Sequence, residues 1–251
     1  MVEGIDSFRD KFRDYTDCYT DCYTVIGGAA CDILMSEAEI AFRATKDIDM
    51  ILILEDKKAE FAKAFWKYIR DGGYRCGWKN NADVHFYRFT EPLSGFPAMI
   101  ELFSRKPGYH LDVAEGIIPI HIDDDTPSLS AILLKDDFYN FMLAGRRIVN
   151  DVCVLGGEYL IPFKMYAWLD LKERKAAGEH VNEKDYKKHK NDVFRLLQII
   201  DVGSKVEVEG LVKESIGRFL DEILEEPVRV EQLGLPISFQ EAINSLRNIY
   251  I

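Results

Sequence analysis

The stretch VIGGAACDILMSEAEIAFRATKDIDMILI, residues 25–53, constrains the fold more than any other part of the chain. Gly27 and Gly28 close a short apolar run, a helix-like segment follows, and Asp47 and Asp49 open a block of Ile, Leu and Met. Side chains of a strand alternate between its faces, so Asp47 and Asp49 point the same way while Ile48 and Met50 point into the core. Two positions on one strand face lie roughly 6–7 Å apart. Carboxylates that close repel, and burying them even in part is costly. A divalent cation removes that cost. Mg²⁺ (or Mn²⁺) takes hard oxygen ligands, commonly one or two protein carboxylates, with water and substrate phosphate in its other positions. Ions held in this way activate an attacking hydroxyl and stabilise a departing pyrophosphate. Gly27 and Gly28 permit close backbone approach, and the start of the following helix favours phosphate. Arg43, Thr45 and Lys46 precede the strand, placed to meet a triphosphate.

The surrounding pattern is mixed helix and strand up to about residue 125. Ile5, Phe8, Phe12 and Tyr15 recur at helical spacing over residues 5–18. The tandem YTDCYTDCYT puts Cys18 and Cys22 one helical turn apart, but two thiols alone make a poor zinc site, and the segment reads as the end of a helix leading into the strand YTVIG. A helix over 29–40 and a strand over 47–54 are predicted. EDKKAEFAKAFWKYIRDGGY is a helix with Phe61, Phe65, Trp66 and Ile69 inward and a Gly-Gly stop. VHFYRF, PAMIELF and GIIPIHI read as strands, and residues 126–155 as a helix followed by one strand.

After Gly156 and Gly157 the pattern becomes helical throughout, with Asn182 as an N-cap candidate. The expected organisation is therefore an α/β (α+β) domain over 1–155, a mixed sheet flanked by helices, and a helical C-terminal domain over 156–251.

A net charge of −11 argues against wholesale attraction to nucleic acid or an anionic membrane and confines any such contact to a local basic face. KDYKKHKNDVFR is that segment, with Lys184, Lys187, Lys188, His189, Lys190 and Arg195. Five cysteines without a CxxC pair fit reduced thiols in a cytoplasm. The charged start MVEGIDSFRDKF is no secretory signal, and the apolar runs are too short to span a bilayer, so no membrane association is expected.

The Gly-Gly, the helix and the Asp-x-Asp strand resemble the nucleotidyltransferase superfamily related to DNA polymerase β. The longer form IGGAACDIL…FRATKDIDMIL is similar to the abortive-infection AbiE-type toxin branch, where Gly-Gly precedes an Arg-x-Thr-x-Asp-x-Asp string, here Arg43, Thr45, Asp47 and Asp49. The resemblance runs from about residue 20 to residue 200. It implies an enzyme that moves NMP from an NTP to an acceptor, with Asp47 and Asp49 binding metal and Gly27, Gly28, Arg43 and Thr45 cradling phosphates. It also implies a third carboxylate on a later strand. Glu101, an acid inside the apolar strand AMIELF, is the candidate in place of the usual Asp; Asp83 and Asp112 are lesser ones, and Asp123–Asp125 reads as a solvated turn. YLIPFKMYAWLDLKE is similar to the family helix that offers a Lys to the nucleotide, here Lys164, with Ala167 and Lys172 following. Asp192 matches the first Asp of a second helical motif, which implies that it orients nucleotide together with Lys164, with Asn191 where Arg is usual and Arg195 where a second Asp is usual. The biological role implied is the toxin of a bacterial toxin–antitoxin or phage-defence pair acting on RNA such as tRNA, with a cognate antitoxin as partner. A small-molecule acceptor and a catalytically lapsed nucleotide-binding protein are the alternatives.

Overall fold

The computed structural model describes residues 11–15, 19–43, 45–53, 58–79, 83–103 and 135–251. The chain divides into two compact units: residues 1–134 with 146–155, and residues 135–145 with 156–251. A single cut at residue 155 therefore does not separate them, because residues 135–145 group with the helical unit.

Among the described residues the first unit is built on a seven-stranded mixed sheet in the order β3-β4-β5-β2-β1-β7-β6. Its strands are β1 (Tyr23–Ile26), β2 (Asp47–Leu52), β3 (Arg75–Lys79), β4 (Asp83–Thr90), β5 (Met99–Phe103), β6 (Arg146–Val149) and β7 (Val152–Leu155). β2 runs parallel to β5 and β1 parallel to β7, and the remaining neighbours are antiparallel. Helix α1 (Gly27–Glu37) follows β1 directly, two residues earlier than the spacing predicts, and ends at Glu37. Gly28 and residues 29–35 of α1 are all buried, which is why no one-sided apolar stripe marks it in the sequence.

Helix α2 (Lys58–Asp71) buries Phe61, Phe65, Trp66 and Ile69, the inward face read from the spacing. Phe65 and Trp66 meet Phe89 of the sheet edge-on at 5.8 and 5.5 Å, and Phe61 stacks 6.1 Å from Tyr23. Phe12 adds an edge contact to Tyr23 at 5.3 Å. Burying such a ring stabilises by several kcal/mol, and Phe65→Ala would cost about 3–5 kcal/mol. Gly73, at φ +64°, ends α2 in the left-handed region that favours glycine.

Strand β3 went unread because RCGWK is short and carries a glycine; its pairing with β4 shifts register between Cys76 and Gly77. Residues 146–155 form two strands rather than one, turned by Asn150 and Asp151, both at positive φ. Residues 1–10, Cys18, GIIPIHI, Asp112 and Asp123–Asp125 lie outside the described residues, while Cys22 is buried.

The second unit comprises α3 (Asp136–Ala144), α4 (Gly157–Ala176), α5 (Glu183–Leu196), α6 (Gly210–Glu222) and α7 (Phe239–Tyr250), with short 3₁₀ turns between. α4 packs against α5 and α6. Asn182 caps α5, its side chain accepting from the Lys184 backbone N–H at 2.9 Å, and Ser238 with Glu241 forms a reciprocal capping box on α7. Phe138 of α3 lies 5.1 Å from Phe163 and 4.9 Å from Tyr166 of α4. Pro162 sits inside α4 and has no N–H to give to the carbonyl of Glu158 one turn back. The Tyr250 hydroxyl donates to that carbonyl instead, at 2.5 Å. No helix among the described residues is long and apolar enough to cross a membrane.

Candidate active site

Four strands place one residue each in a single line across the sheet. Ile26 of β1 is the register partner of Asp49 on β2, Asp49 of Glu101 on β5, and Glu101 of Arg88 on β4. Register partners share a face, so Asp49, Glu101 and Arg88 project to the same side. Asp47, two residues before Asp49, joins them there. Tyr23 and Phe89 sit an odd number of residues from Ile26 and Arg88, so the aromatic layer under α2 occupies the opposite face. Along β2 the burial runs exposed, buried, half-buried, then buried for Met50, Ile51 and Leu52. The carboxylates thus stand at the open end of a strand that is otherwise core on both sides, which answers why an acidic pair precedes so apolar a run.

Gly27 shapes the space beside Asp49. It has φ +67°, and a Cβ added to it would lie 2.0 Å from Asp49 Oδ2. The carboxylate therefore lies directly over the turn from β1 into α1, in space only glycine leaves open. Gly28 does the same for the next pair: a Cβ there would lie 3.2 Å from both the hydroxyl and the methyl of Thr45 and 3.3 Å from Arg43 Nη2. Arg43 Nη1 donates to Thr45 Oγ1 at 3.5 Å, and Thr45 is buried. Thus the two glycines, Arg43, Thr45 and Asp49 converge at the start of α1, although up to 22 positions separate them in sequence. Lys46 is exposed, and its carbonyl accepts from the Ala98 N–H at 2.9 Å, which pins the entry of β2 to that of β5.

Glu101 is 17 % exposed, and its Oε1 accepts a short hydrogen bond from Nε of Arg88, which is 39 % exposed. Arg88 is the one member of the row that sequence reasoning missed. It alternates correctly within VHFYRF, but only the β4–β5 register reveals that it faces Glu101.

The fit of this donor set to a hard cation follows from these positions. Among the described residues no three or more His, Cys, Asp or Glu side chains group closely enough to hold a metal ion. Asp47 and Asp49 supply two carboxylates on one strand face, the number Mg²⁺ commonly takes from protein when water and phosphate complete its shell. Glu101 is in the adjacent row but engaged by Arg88, so the expected three-carboxylate cluster is not assembled. The two aspartates fit the cation as a pair that substrate would complete.

In the helical unit Lys164 and Asp192 are brought together. Lys164 Nζ lies 3.3 Å from Asp192 Oδ2, with the side chains 4 % and 0 % exposed. Arg195 Nη1 reaches the other oxygen, Oδ1, at 3.2 Å. Arg195 thus serves as a second counter-charge to Asp192. Three of the lysines in and before the basic segment are matched by carboxylates in space. Lys172 pairs with Glu222 at 3.0 Å, Lys190 with Glu226 at 3.0 Å and Lys188 with Asp185 at 4.0 Å, and Lys172 also lies 5.0 Å from the Trp168 ring. His189 is buried, and Asp83 opens β4. No protein-family model matches the chain, and no curated protein or solved structure matches it significantly.

Proposed function

We propose that this protein is a Mg²⁺-dependent nucleotidyltransferase of the fold related to DNA polymerase β, moving NMP from an NTP to an acceptor. The observation that carries the reading is the cross-sheet row in which Asp49 stands between the Gly27 turn and Glu101, with Asp47 beside it on the same face.

In this reading Asp47 and Asp49 hold the metal, which when bound supplies Lewis-acid polarisation of phosphate and hydroxyl. Gly27 and Gly28 give a backbone surface that the β- and γ-phosphates approach at the start of α1. Arg43 and Thr45, already joined to each other, offset and orient the triphosphate charge. The acceptor hydroxyl oxygen bonds to the α-phosphorus as the bridge to the β-phosphate breaks; pyrophosphate leaves, and the hydroxyl proton passes to solvent. Lys164 and Asp192 enter as a positioning pair that fixes α4 against α5.

RNA such as tRNA is the favoured acceptor. The biological role is the toxin of a bacterial toxin–antitoxin or phage-defence pair, supported by the Gly-Gly…Arg-x-Thr-x-Asp-x-Asp string. The net charge of −11 and the carboxylate-matched lysines favour a second reading, a small antibiotic-type acceptor. The Arg88–Glu101 contact favours a third, nucleotide binding without transfer.

Incubating the protein with Mg²⁺, bulk tRNA and each labelled NTP separates these. Label in RNA that is lost in Asp49→Ala is the expected result. Nucleotide binding with no transfer to tRNA or to aminoglycoside acceptors would overturn the enzyme reading. Expression should arrest growth and the Asp49→Ala form should not; equal growth of the two removes the toxin role.

A further inference from the structure

Resting on the reading of Asp47 and Asp49 as metal carboxylates, we propose that Arg88 is the resident counter-ion of Glu101. Glu101 then joins the metal site only by exchanging this guanidinium for the cation. Arg88 is in this sense a positioning residue that makes metal loading a swap of partners instead of the filling of a ready cage.

The geometry argues this from position. Arg88, Glu101 and Asp49 are successive members of one row on neighbouring strands, which puts their backbones roughly 5 Å apart from one to the next. Glu101 is 17 % exposed, so its carboxylate is costly to leave without a counter-charge. Arg88 meets that need through a charge-assisted hydrogen bond from Nε. At 39 % exposure on a long flexible stem, Arg88 retains room to move, whereas Glu101 lies between two paired strands.

Charge balance gives the swap its direction. Asp47, Asp49 and Glu101 carry three negative charges; Arg88 offsets one, and one divalent cation offsets two. A cation bound by the aspartates repels the neighbouring guanidinium and attracts Glu101. Once displaced, the guanidinium keeps its charge and five donors and turns to the nearest new anion, the phosphate of a bound nucleotide. Metal without nucleotide gains Glu101 only by breaking the Arg88–Glu101 contact and leaving Arg88 unpaired. Metal with nucleotide breaks the same contact and gives Arg88 a new partner. The site is therefore weak for metal alone and strong for the metal–nucleotide pair.

Mn²⁺ binding to the full chain without nucleotide, read by the paramagnetic signal of free Mn²⁺, tests this independently of transfer. Arg88→Gln should tighten Mn²⁺ by about fivefold, the upper scale of one partly exposed ion pair. Arg88→Lys, a more hydrated point charge, should fall between it and the wild type. Adding Glu101→Gln to Arg88→Gln should abolish the gain, and Asp49→Asn should remove binding in every background. An unchanged or weaker affinity in Arg88→Gln overturns the inference, as does a gain that survives Glu101→Gln. If Arg88→Gln does not melt cooperatively, Arg88→Lys decides alone: tighter binding supports the swap, and equal or weaker binding ends it. If Asp49-dependent binding is present but indifferent to Arg88, only this inference falls. If Mn²⁺ binds none of the proteins, the metal reading falls and takes this one with it.

Discussion

Asp49 and Glu101 face one another across two parallel strands, in a register that holds for five consecutive pairs from Asp47–Met99 to Ile51–Phe103. A register fixed by so much buried β-structure cannot slip locally, because a one-residue shift would turn Ile48, Met50 and Ile100 out of the core. The carboxylates are held together by the apolar residues between them.

Replacing Asp49 with Asn should lower NMP transfer by roughly 1,000-fold, about 4 kcal/mol of transition-state stabilisation. In metal-free buffer the same variant should melt at or above the wild-type temperature, since it removes one of the two like charges that Asp47 and Asp49 place on one strand face. Calorimetry beside a transfer assay checks both; a destabilised Asp49→Asn would show that the carboxylate serves the fold.

Gly27→Ala places a side chain at φ +67° and 2.0 Å from Asp49 Oδ2. The left-handed conformation alone costs about 1–2 kcal/mol, and the carboxylate must also move. Gly28→Ala meets Thr45 at 3.2 Å without the conformational cost and should be milder. Denaturant midpoints should rank wild type, Gly28→Ala, Gly27→Ala, with transfer falling in the same order.

Lys164→Ala leaves Asp192 buried with Arg195 still beside it. A loss of about 3 kcal/mol is expected, the low end for breaking a buried pair because one partner remains. Lys164→Met with Asp192→Leu, which removes both charges, should cost less than the single change in urea unfolding. Transfer by that double variant then separates a role in chemistry from one in folding.

Tyr250→Phe strands the Glu158 carbonyl that Pro162 cannot serve, at a cost of about 1–3 kcal/mol. Burial also drives the Tyr250 hydroxyl well above its ordinary pKa, so it stays a donor through the alkaline range. In a Pro162→Ala background the helix supplies its own N–H, and Tyr250→Phe should cost measurably less. Equal costs in the two backgrounds would break the link between these residues.

Burial raises the pKa of Glu226, but hydrogen bonds from Tyr186 and Lys190 outweigh it and hold the carboxyl below its ordinary value. Glu222 is likewise raised by burial and lowered further by Lys172 and Arg218. A depressed folded pKa gives stability that is present above the unfolded value, about 4.3, and lost as pH falls through the folded one. The thermal midpoint should therefore drop as pH falls below about 4.3, and the drop should shrink in Glu226→Gln and Glu222→Gln.

The α/β character was legible in the sequence wherever one periodicity ruled. DIDMIL alternates before it enters the core, and Phe61, Phe65, Trp66 and Ile69 mark the inner face of α2 at helical spacing. Asn182 and its first turn were equally plain, because capping is local chemistry. Partners set by long-range register were not legible. Arg88 and Glu101 are 13 residues apart on strands whose alignment depends on the whole sheet. The charge-matching of the lysines was hidden for the same reason, since Glu222 and Glu226 come from a later part of the chain.

The assignment of residues 135–145 to the helical unit, ahead of two strands of the sheet unit, means that the backbone passes from one unit to the other three times. No single interruption of the gene can then yield two complete products. A fragment encoding 156–251 lacks Phe138 and leaves Phe163 and Tyr166 without it, while one encoding 1–134 lacks the β6–β7 hairpin beside β1. Recombination would have to move this protein as one piece, and a frameshift anywhere before the last crossing spoils both halves together.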